Sequence, residues 1–518
     1  MKIPPRLQKT SPSLLAFVLG TLSVAALPPY YCFILLFFTL SGWLLLLNAA
    51  PSPRKAFAVG YWFGFGFFAF GFSWIGNALL IDPAPLAWLY PFCLLAGGAF
   101  FGLFFAFPAW ISCYFKGIAA RYLSFSALLV IFEWLRSFVL TGFPWNLWGS
   151  VLAFCPQALQ GASLAGTYGL SLWALLIGTA PAFWLQKRCF SRFLISLALI
   201  FGLGAPLCVY GNWRLEHQPQ PQREIKVRLV QPAIPQNMKW NPQTLAQNFN
   251  EYIDMSRLPG QDGVDFVIWG ETASPYALDL DLNALKAAAS AAPKNGYLIT
   301  GLVRYEQTTD QPYIPVNSLF VLNRQGEIAA VYDKFHLVPF GEYIPLRTYL
   351  PDSVRPLTNT ISDFKPGPGP QKLSLAGYPD LGALICYEII FPHQIVPPLN
   401  PPSWVVNITN DGWYGDSAGP YQHLVATRLR AIEEGISIIR VANTGISAII
   451  SPYGSVLASI PLNQKAILDA GVPIYTNLST IYGDNGNIIP LILCLVNLGL
   501  AWVFKRKTIK SEDKAIQA

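Results

Sequence analysis

Charge is scarce in this 518-residue chain: 12% of its residues are Asp, Glu, Lys or Arg, whereas 53% are hydrophobic. That balance excludes a chain folded wholly in water, and the length allows two or more domains. Histidine is equally sparse, with four residues, and no His and Cys pair has zinc-ligand spacing, so no metal and no cofactor are expected. Cysteine is missing where disulfides would form. Cys32, Cys93, Cys113, Cys155, Cys189, Cys208 and Cys494 lie in or beside apolar runs, which leaves Cys386 alone in the long polar segment. A lone cysteine has no partner, so a disulfide framework is excluded there. The first apolar run also lacks a convincing small-residue cleavage site and reads as a retained helix.

What is abundant is apolar sequence. About eight runs approach the ~20 residues a helix needs to cross a bilayer: Leu14–Leu27, Cys32–Ala49, Ala56–Leu80, Leu86–Phe115, Ser126–Leu140, Ser163–Leu185, Phe193–Tyr210 and Ile488–Phe504. Basic residues fall in alternate loops: Lys2, Arg6 and Lys9, then Arg54 and Lys55, Lys116 and Arg121, Lys187, Arg188 and Arg192, and finally Lys505, Arg506, Lys507 and Lys510. Loops Pro28–Tyr31 and Ile81–Pro85 have none. Because such residues are held on the cytoplasmic side, both termini are expected inside and the segment before the last span outside. Much of the net charge of +7 therefore sets topology, and nucleic acid is not an expected partner.

Residues 213–483 have a different composition, with most of the acids and frequent Pro and Gly turns. Strand-like runs occur at Lys226–Val230, Phe266–Trp269, Tyr297–Thr300, Ser318–Leu322, Leu381–Ile385, Trp404–Ile408, Ile436–Val441 and Ser447–Ile450. Leu245–Ser256, Leu282–Ala291 and Tyr421–Glu434 have helical periodicity. Strands interleaved with helices predict an α/β layered domain. The expected organisation is residues 1–212 with seven spans, 213–483 as the extramembrane domain, and 484–518 as the last span and a cytoplasmic tail. Arg214–Arg223 is expected to be a short extended linker.

Val267–Ala273, Val331–Tyr343 and Ala383–Glu388 each end a strand-like run with reactive groups. Ligands gather at the carboxyl ends of strands in open α/β sheets, so Glu271, Lys334 and Cys386 can converge there. A thiol attacks an acyl group well only as thiolate; Glu271 can serve as its base and Lys334 as the cation that supports the oxyanion. Each has a plainer reading: a buried core thiol for Cys386, a surface acid and base for the others. For His336, His393 and His423, a cysteine–histidine dyad stands beside solvated or core roles. Glu133 and Arg136, three residues apart on one span, are expected to neutralise each other. Trp145 and Trp148 read as an interfacial aromatic belt.

The most specific blocks are Tyr332–Pro345, Ile385–Glu388, Asn407–Asp416 followed by Gln422 and His423, and, in the membrane part, Glu133–Arg136 and Thr141–Trp145. With them, the chain resembles the apolipoprotein N-acyltransferase family over nearly its whole length, and its three reactive segments resemble the Glu–Lys–Cys triad of the nitrilase superfamily. The resemblance implies a polytopic α-helical membrane domain with a nitrilase-like αββα sandwich. It implies Glu271 as general base, Lys334 as the positive group beside the intermediate and Cys386 as nucleophile, with Glu342 and Glu388 as supporting carboxylates. Trp240 and Tyr387 match aromatics near the acyl-chain entrance, core packing being the alternative. Gly270 departs from the family pattern, which has Pro there; glycine also permits a tight turn, so loop rigidity rather than chemistry should differ.

The implied activity moves a fatty acyl chain from a phospholipid, phosphatidylethanolamine being the usual donor, through a Cys386 thioester to the α-amine of a diacylglyceryl apolipoprotein. A monomer is expected in the bacterial inner membrane, with the catalytic domain on the periplasmic side. The rivals are a membrane-tethered nitrilase-type amidase and a non-enzymatic lipoprotein-binding component.

Overall fold

Every apolar run named above is helical in the computed structural model, which describes residues 11–81, 86–307, 313–351, 355–358, 362–475 and 478–517. Two compact units emerge, one of Met1–Leu80, Pro85–Gln218 and Asn485–Ala518, the other of Ile81–Ala84 and Pro219–Asp484. In the first, five helices are long and apolar enough to cross a membrane: Ala87–Ser112, Ile118–Leu135, Ala162–Gln186, Phe190–Glu216 and Ile488–Ile509. Pro53–Gly71 and Ser73–Leu80, bent by 42°, make a sixth if they form one span. The other two expected runs form the shorter apolar helices Pro12–Ala26 and Phe33–Ala49, so the eight runs give, among the described residues, five or six helices of spanning length and two shorter ones.

Two expectations are corrected in this unit. The helix Phe190–Glu216 runs on through Arg214, so the first three residues of the expected linker are helical. Trp145 and Trp148 are 4% and 0% exposed, and Trp148 stacks on Phe67 at 4.7 Å; they pack the interior rather than forming a belt. Glu133 accepts the Trp148 N–H at 2.7 Å, while Arg136 donates to the Phe143 and Trp145 carbonyls at 2.7 Å each. Backbone groups of one loop thus add to the electrostatic pairing of Glu133 with Arg136 and help meet the cost of placing both charges among apolar helices.

The second unit is built on twelve strands in two six-stranded sheets. The first contains β1 (Arg223–Gln231), β2 (Phe266–Ile268), β3 (Tyr297–Glu306), β4 (Ile314–Asn323) and β5 (Ile328–Asp333). The second contains β6 (Lys372–Leu373), β7 (Leu381–Ile385), β8 (Trp404–Thr409), β9 (Ser437–Ala442), β10 (Ser447–Ile450) and β11 (Val456–Ile460). β12 (Ala466–Ile474) returns to pair antiparallel with β1. Parallel neighbours β1–β2–β3 and β7–β8–β9 form the two centres.

Alternation along these strands explains the layers, since residues two apart share a face. Val227, Leu229, Ile268, Ile299 and Leu319 of the first sheet join Ala383, Ile385, Val406, Ile408 and Val441 of the second in one buried core. The opposite face of the first sheet, through Val230, Val267, Trp269 and Leu298, packs on Phe249, Tyr252 and Ala288. Those last residues lie on helices Leu245–Ser256 and Leu282–Ala289. The helix Gly419–Glu434 is a neighbour of β9 and β10. The expected α/β sandwich is present, with helices outside two face-to-face sheets.

Candidate active site

The ends of β2, β5 and β7 bring Glu271, Lys334 and Cys386 together. All three are buried, at 6%, 1% and 5% exposure. Lys334 Nζ donates to Glu271 Oε1 at 3.2 Å and to Glu342 Oε1 at 2.9 Å. Asn317 Nδ2, on β4, donates to the same two oxygens at 2.9 Å each. The Cys386 thiol is buried within electrostatic reach of the Glu271 carboxylate, Lys334 and Thr409.

The electrostatics follow from these contacts. Burial opposes charge on Glu271, but Lys334, the Asn317 hydrogen bond and Lys239 outweigh it and hold the carboxyl below its ordinary range. Burial opposes charge on Lys334 too, and Glu271 and Glu342 overcome it, so the ammonium is firmly protonated. Burial and the Glu271 charge push the Cys386 thiol up to about 12 against the pull of Lys334. At neutral pH the resting site therefore pairs an ionised carboxylate with a neutral thiol. Such a pair performs general-base attack, with the proton leaving the sulfur as the new bond forms.

The backbone holds Cys386 in an uncommon conformation. Cys386 has φ +54°, in the left-handed region that non-glycine residues adopt at a cost of order 1–3 kcal/mol. The segment 385–388 is over-determined by Glu388. Its carboxylate accepts the N–H groups of Ile385 at 2.6 Å and Phe335 at 2.6 Å and the Tyr332 hydroxyl at 2.9 and 3.0 Å. Glu388 thus ties the residue before Cys386 to the residue after Lys334 through backbone bonds, without pairing directly with Lys334. Glu342, in contrast, is the second carboxylate on the lysine.

A buried network grips the other side of Cys386. Its carbonyl accepts from His423 Nε2 at 3.2 Å and from Asn407 Nδ2 at 3.4 Å. His423 Nδ1 meets Asp411 at 2.9 Å, and Arg440 Nη2 bonds Asp411 at 2.5 Å. Arg440 Nη1 also reaches Asn407 at 3.2 Å. Burial opposes the Asp411 charge, but Arg440 and His423 bring its pKa down to about 2. His423 itself, buried beside Arg440, is held below its usual range. Because His423 addresses the backbone rather than the sulfur, it does not form the dyad considered above. His336 stacks on Phe391 at 3.9 Å, and His393 approaches Glu434 at 3.7 Å.

Trp240 is 45% exposed and Tyr387 is 2% exposed; Tyr387 packs edge-on to Phe391 at 5.2 Å. Gly270 is not in a left-handed conformation; that position falls on Thr272, with φ +47°. Sequence reasoning missed Asn317, Asp411, Arg440 and Lys239. Asp411 lay inside the Asn407–Asp416 block, whereas Asn317 and Arg440 sit in strands with no local sign of a role.

Known proteins were compared with this chain. Residues 226–476 match the family described as carbon-nitrogen hydrolase, and residues 19–180 match the apolipoprotein N-acyltransferase N-terminal domain. The chain is 36% identical over 511 residues to the apolipoprotein N-acyltransferase of Rhodopseudomonas palustris, covering 95% of each. It is 37% identical over 518 residues to that of Bradyrhizobium diazoefficiens, covering 96% of this chain and 95% of the relative. Among solved structures, an amidase from Nesterenkonia sp. aligns at 18% identity and a TM-score of 0.36, over 49% of this chain and 92% of the amidase.

Proposed function

The chain belongs to the apolipoprotein N-acyltransferase family, and from that premise we propose that it carries a fatty acyl chain from a phospholipid to the α-amine of a diacylglyceryl apolipoprotein through a thioester on Cys386. In the first half, Glu271 accepts the thiol proton as Cys386 Sγ attacks the ester carbonyl. Lys334 has three N–H donors and spends two on carboxylates, leaving one for the oxyanion of the tetrahedral intermediate. Collapse breaks the ester C–O bond, and Glu271 returns its proton to the departing lysophospholipid oxygen. In the second half the amine attacks the thioester, Glu271 takes its proton, and the cysteine sulfur leaves and is reprotonated. Acyl donor and acceptor thus react in turn, which predicts ping-pong kinetics.

The observation that carries this reading is the shared burial of Glu271, Lys334 and Cys386 at three strand ends, with the Lys334 ammonium 3.2 Å from the Glu271 carboxylate and both groups acting on the thiol. Phosphatidylethanolamine as donor, a catalytic domain on the periplasmic side of the bacterial inner membrane, and residues 213–483 as that domain complete the proposal. Trp240, exposed beside the site, is proposed to meet the acyl chain; a buried Tyr387 fits support of the Cys386 loop better.

Intact mass of the purified protein in detergent, after incubation with phosphatidylethanolamine, tests it. The expected adduct has one fatty-acyl mass, is absent from Cys386→Ala, and is released by a diacylated lipopeptide. No adduct with accessible lipid, an adduct that persists in the variant, or release by water alone would favour the amidase or binding readings instead.

A further inference from the structure

A second lysine, with no step assigned to it in the reaction above, reaches the site from outside the three strand ends. Lys239 ends the short helix Gln236–Lys239, immediately before Trp240. It is 5% exposed, rare for a lysine unless its ammonium is satisfied. Its Nζ donates to the Glu271 carbonyl at 2.9 Å and to Thr272 Oγ1 at 2.7 Å. Those two residues form the turn in which Thr272 holds φ +47°. The lysine therefore binds the backbone of Glu271 rather than its carboxylate, next to the point where Gly301 N of β3 donates to the Gly270 carbonyl at 3.3 Å.

The helix bearing Lys239 is itself fixed to the second sheet. Gln236 accepts from Asn410 Nδ2 at 2.8 Å, and Asn443 brackets Ile234 with bonds of 3.1 and 2.8 Å to its N–H and carbonyl. Asn410 directly precedes Asp411 of the Cys386 network. Lys239 is thus the point where a segment anchored beside the nucleophile grips the peptide of the base.

We propose that Lys239 is a positioning residue of the acyl-transfer site, which fixes the Glu271 turn and supplies a second positive charge that keeps the Glu271 carboxylate ionised. The inference rests on Glu271 being the base. Glu271 is faced by Lys334 beyond β5, Lys239 on its helix, Cys386 beyond β7, Tyr414 of the 411–414 turn, and Glu342, which shares Lys334 and Asn317 with it. Of these, Lys334 and Lys239 are the cations. Removing either should make Glu271 easier to protonate, and Lys239 can be removed without breaking the Lys334 ion pairs. Burial lowers Lys239 itself to about 8, so at neutral pH and below its charge is present.

The test compares Lys239→Met and Lys239→Arg for single-turnover acylation by phosphatidylethanolamine across pH, with the full chain in detergent. In Lys239→Met the rate should fall at least about tenfold, as expected for a misplaced catalytic group, and the acid limb of the profile should move to higher pH by about half a unit or more. Lys239→Arg, which keeps the charge, should restore the limb even where the rate recovers only in part. Should Lys239→Met fail to fold, Lys239→Gln is read in the same way. An unchanged rate and limb would overturn the proposal, as would equal losses in Met and Arg variants with an unmoved limb. Wild-type protein that forms no Cys386-dependent thioester would instead overturn the reading on which it rests.

Discussion

Glu271 and Glu342 share both of their side-chain donors: Lys334 Nζ lies 3.2 and 2.9 Å from their carboxylate oxygens, and Asn317 Nδ2 lies 2.9 Å from each. Two buried carboxylates this close repel unless a cation stands between them. Lys334→Met should therefore abolish acylation and also destabilise the domain, by about 3–5 kcal/mol if the carboxylates stay charged. Adding Glu342→Gln should recover part of that stability and none of the activity. Thermal unfolding of both variants in detergent, read beside thioester formation, checks the two halves.

Glu271→Gln keeps the shape of the site and removes the proposed base. Single-turnover acylation should fall about 10²–10⁴-fold, the usual contribution of general-base catalysis, with donor affinity little changed. In the unaltered protein the acid limb should lie below the ordinary carboxylate range, because Glu271 is depressed. The sign for stability is the same: a depressed carboxyl contributes above its unfolded pKa, and the contribution disappears as pH falls through the folded one. A pH–rate profile with its limb near 7 would contradict this.

His423→Ala separates the carbonyl clamp from a cysteine–histidine dyad. Loss of the imidazole leaves Asp411 and the Cys386 carbonyl each without one partner, at about 1–3 kcal/mol. Acylation should slow while the pH dependence keeps its position, since no titrating base is removed. A dyad would shift or erase the acid limb, so the shape of the profile decides.

Gly301 offers a steric probe of the base. A Cβ there would stand 2.5 Å from Thr272 N and 2.8 Å from both Glu271 Cα and the Gly270 carbonyl oxygen. Backbone cannot yield as a flexible side chain does, so Gly301→Ala should push Glu271 off its place by several tenths of an ångström. A displacement near 1 Å can cost about 10²-fold in rate. The expected result is a folded protein with wild-type secondary structure by circular dichroism and at least tenfold slower acylation.

How much of this was legible beforehand depends on how local each signal is. Leu381–Ile385 and Leu245–Ser256 were read with their observed bounds, the first as a continuous apolar run and the second as an amphipathic helix. β11 and β12 were missed: β11 is a largely exposed strand with little apolar signal, whereas β12 turns Ala466, Leu468, Ala470, Val472 and Ile474 to the core in an alternation that small residues and Pro473 make faint in the sequence. Glu271, Lys334 and Cys386 each close a recognisable segment. Lys239 and Arg440, by contrast, are ordinary cations on the page until distant strands converge and remove them from water.

Glu271, Lys334 and Asn317 belong to elements of the first sheet, while Cys386, Asp411 and Arg440 belong to the second. The two sheets touch where the Glu271 N–H donates to the Thr409 carbonyl at 3.3 Å. The reaction centre is therefore a seam between two halves of a sandwich, closed only while the apolar filling between them stays dry and intact. Activity becomes a gauge of that separation: a solvent or temperature that lets the halves breathe will silence the enzyme while each half still keeps its strands.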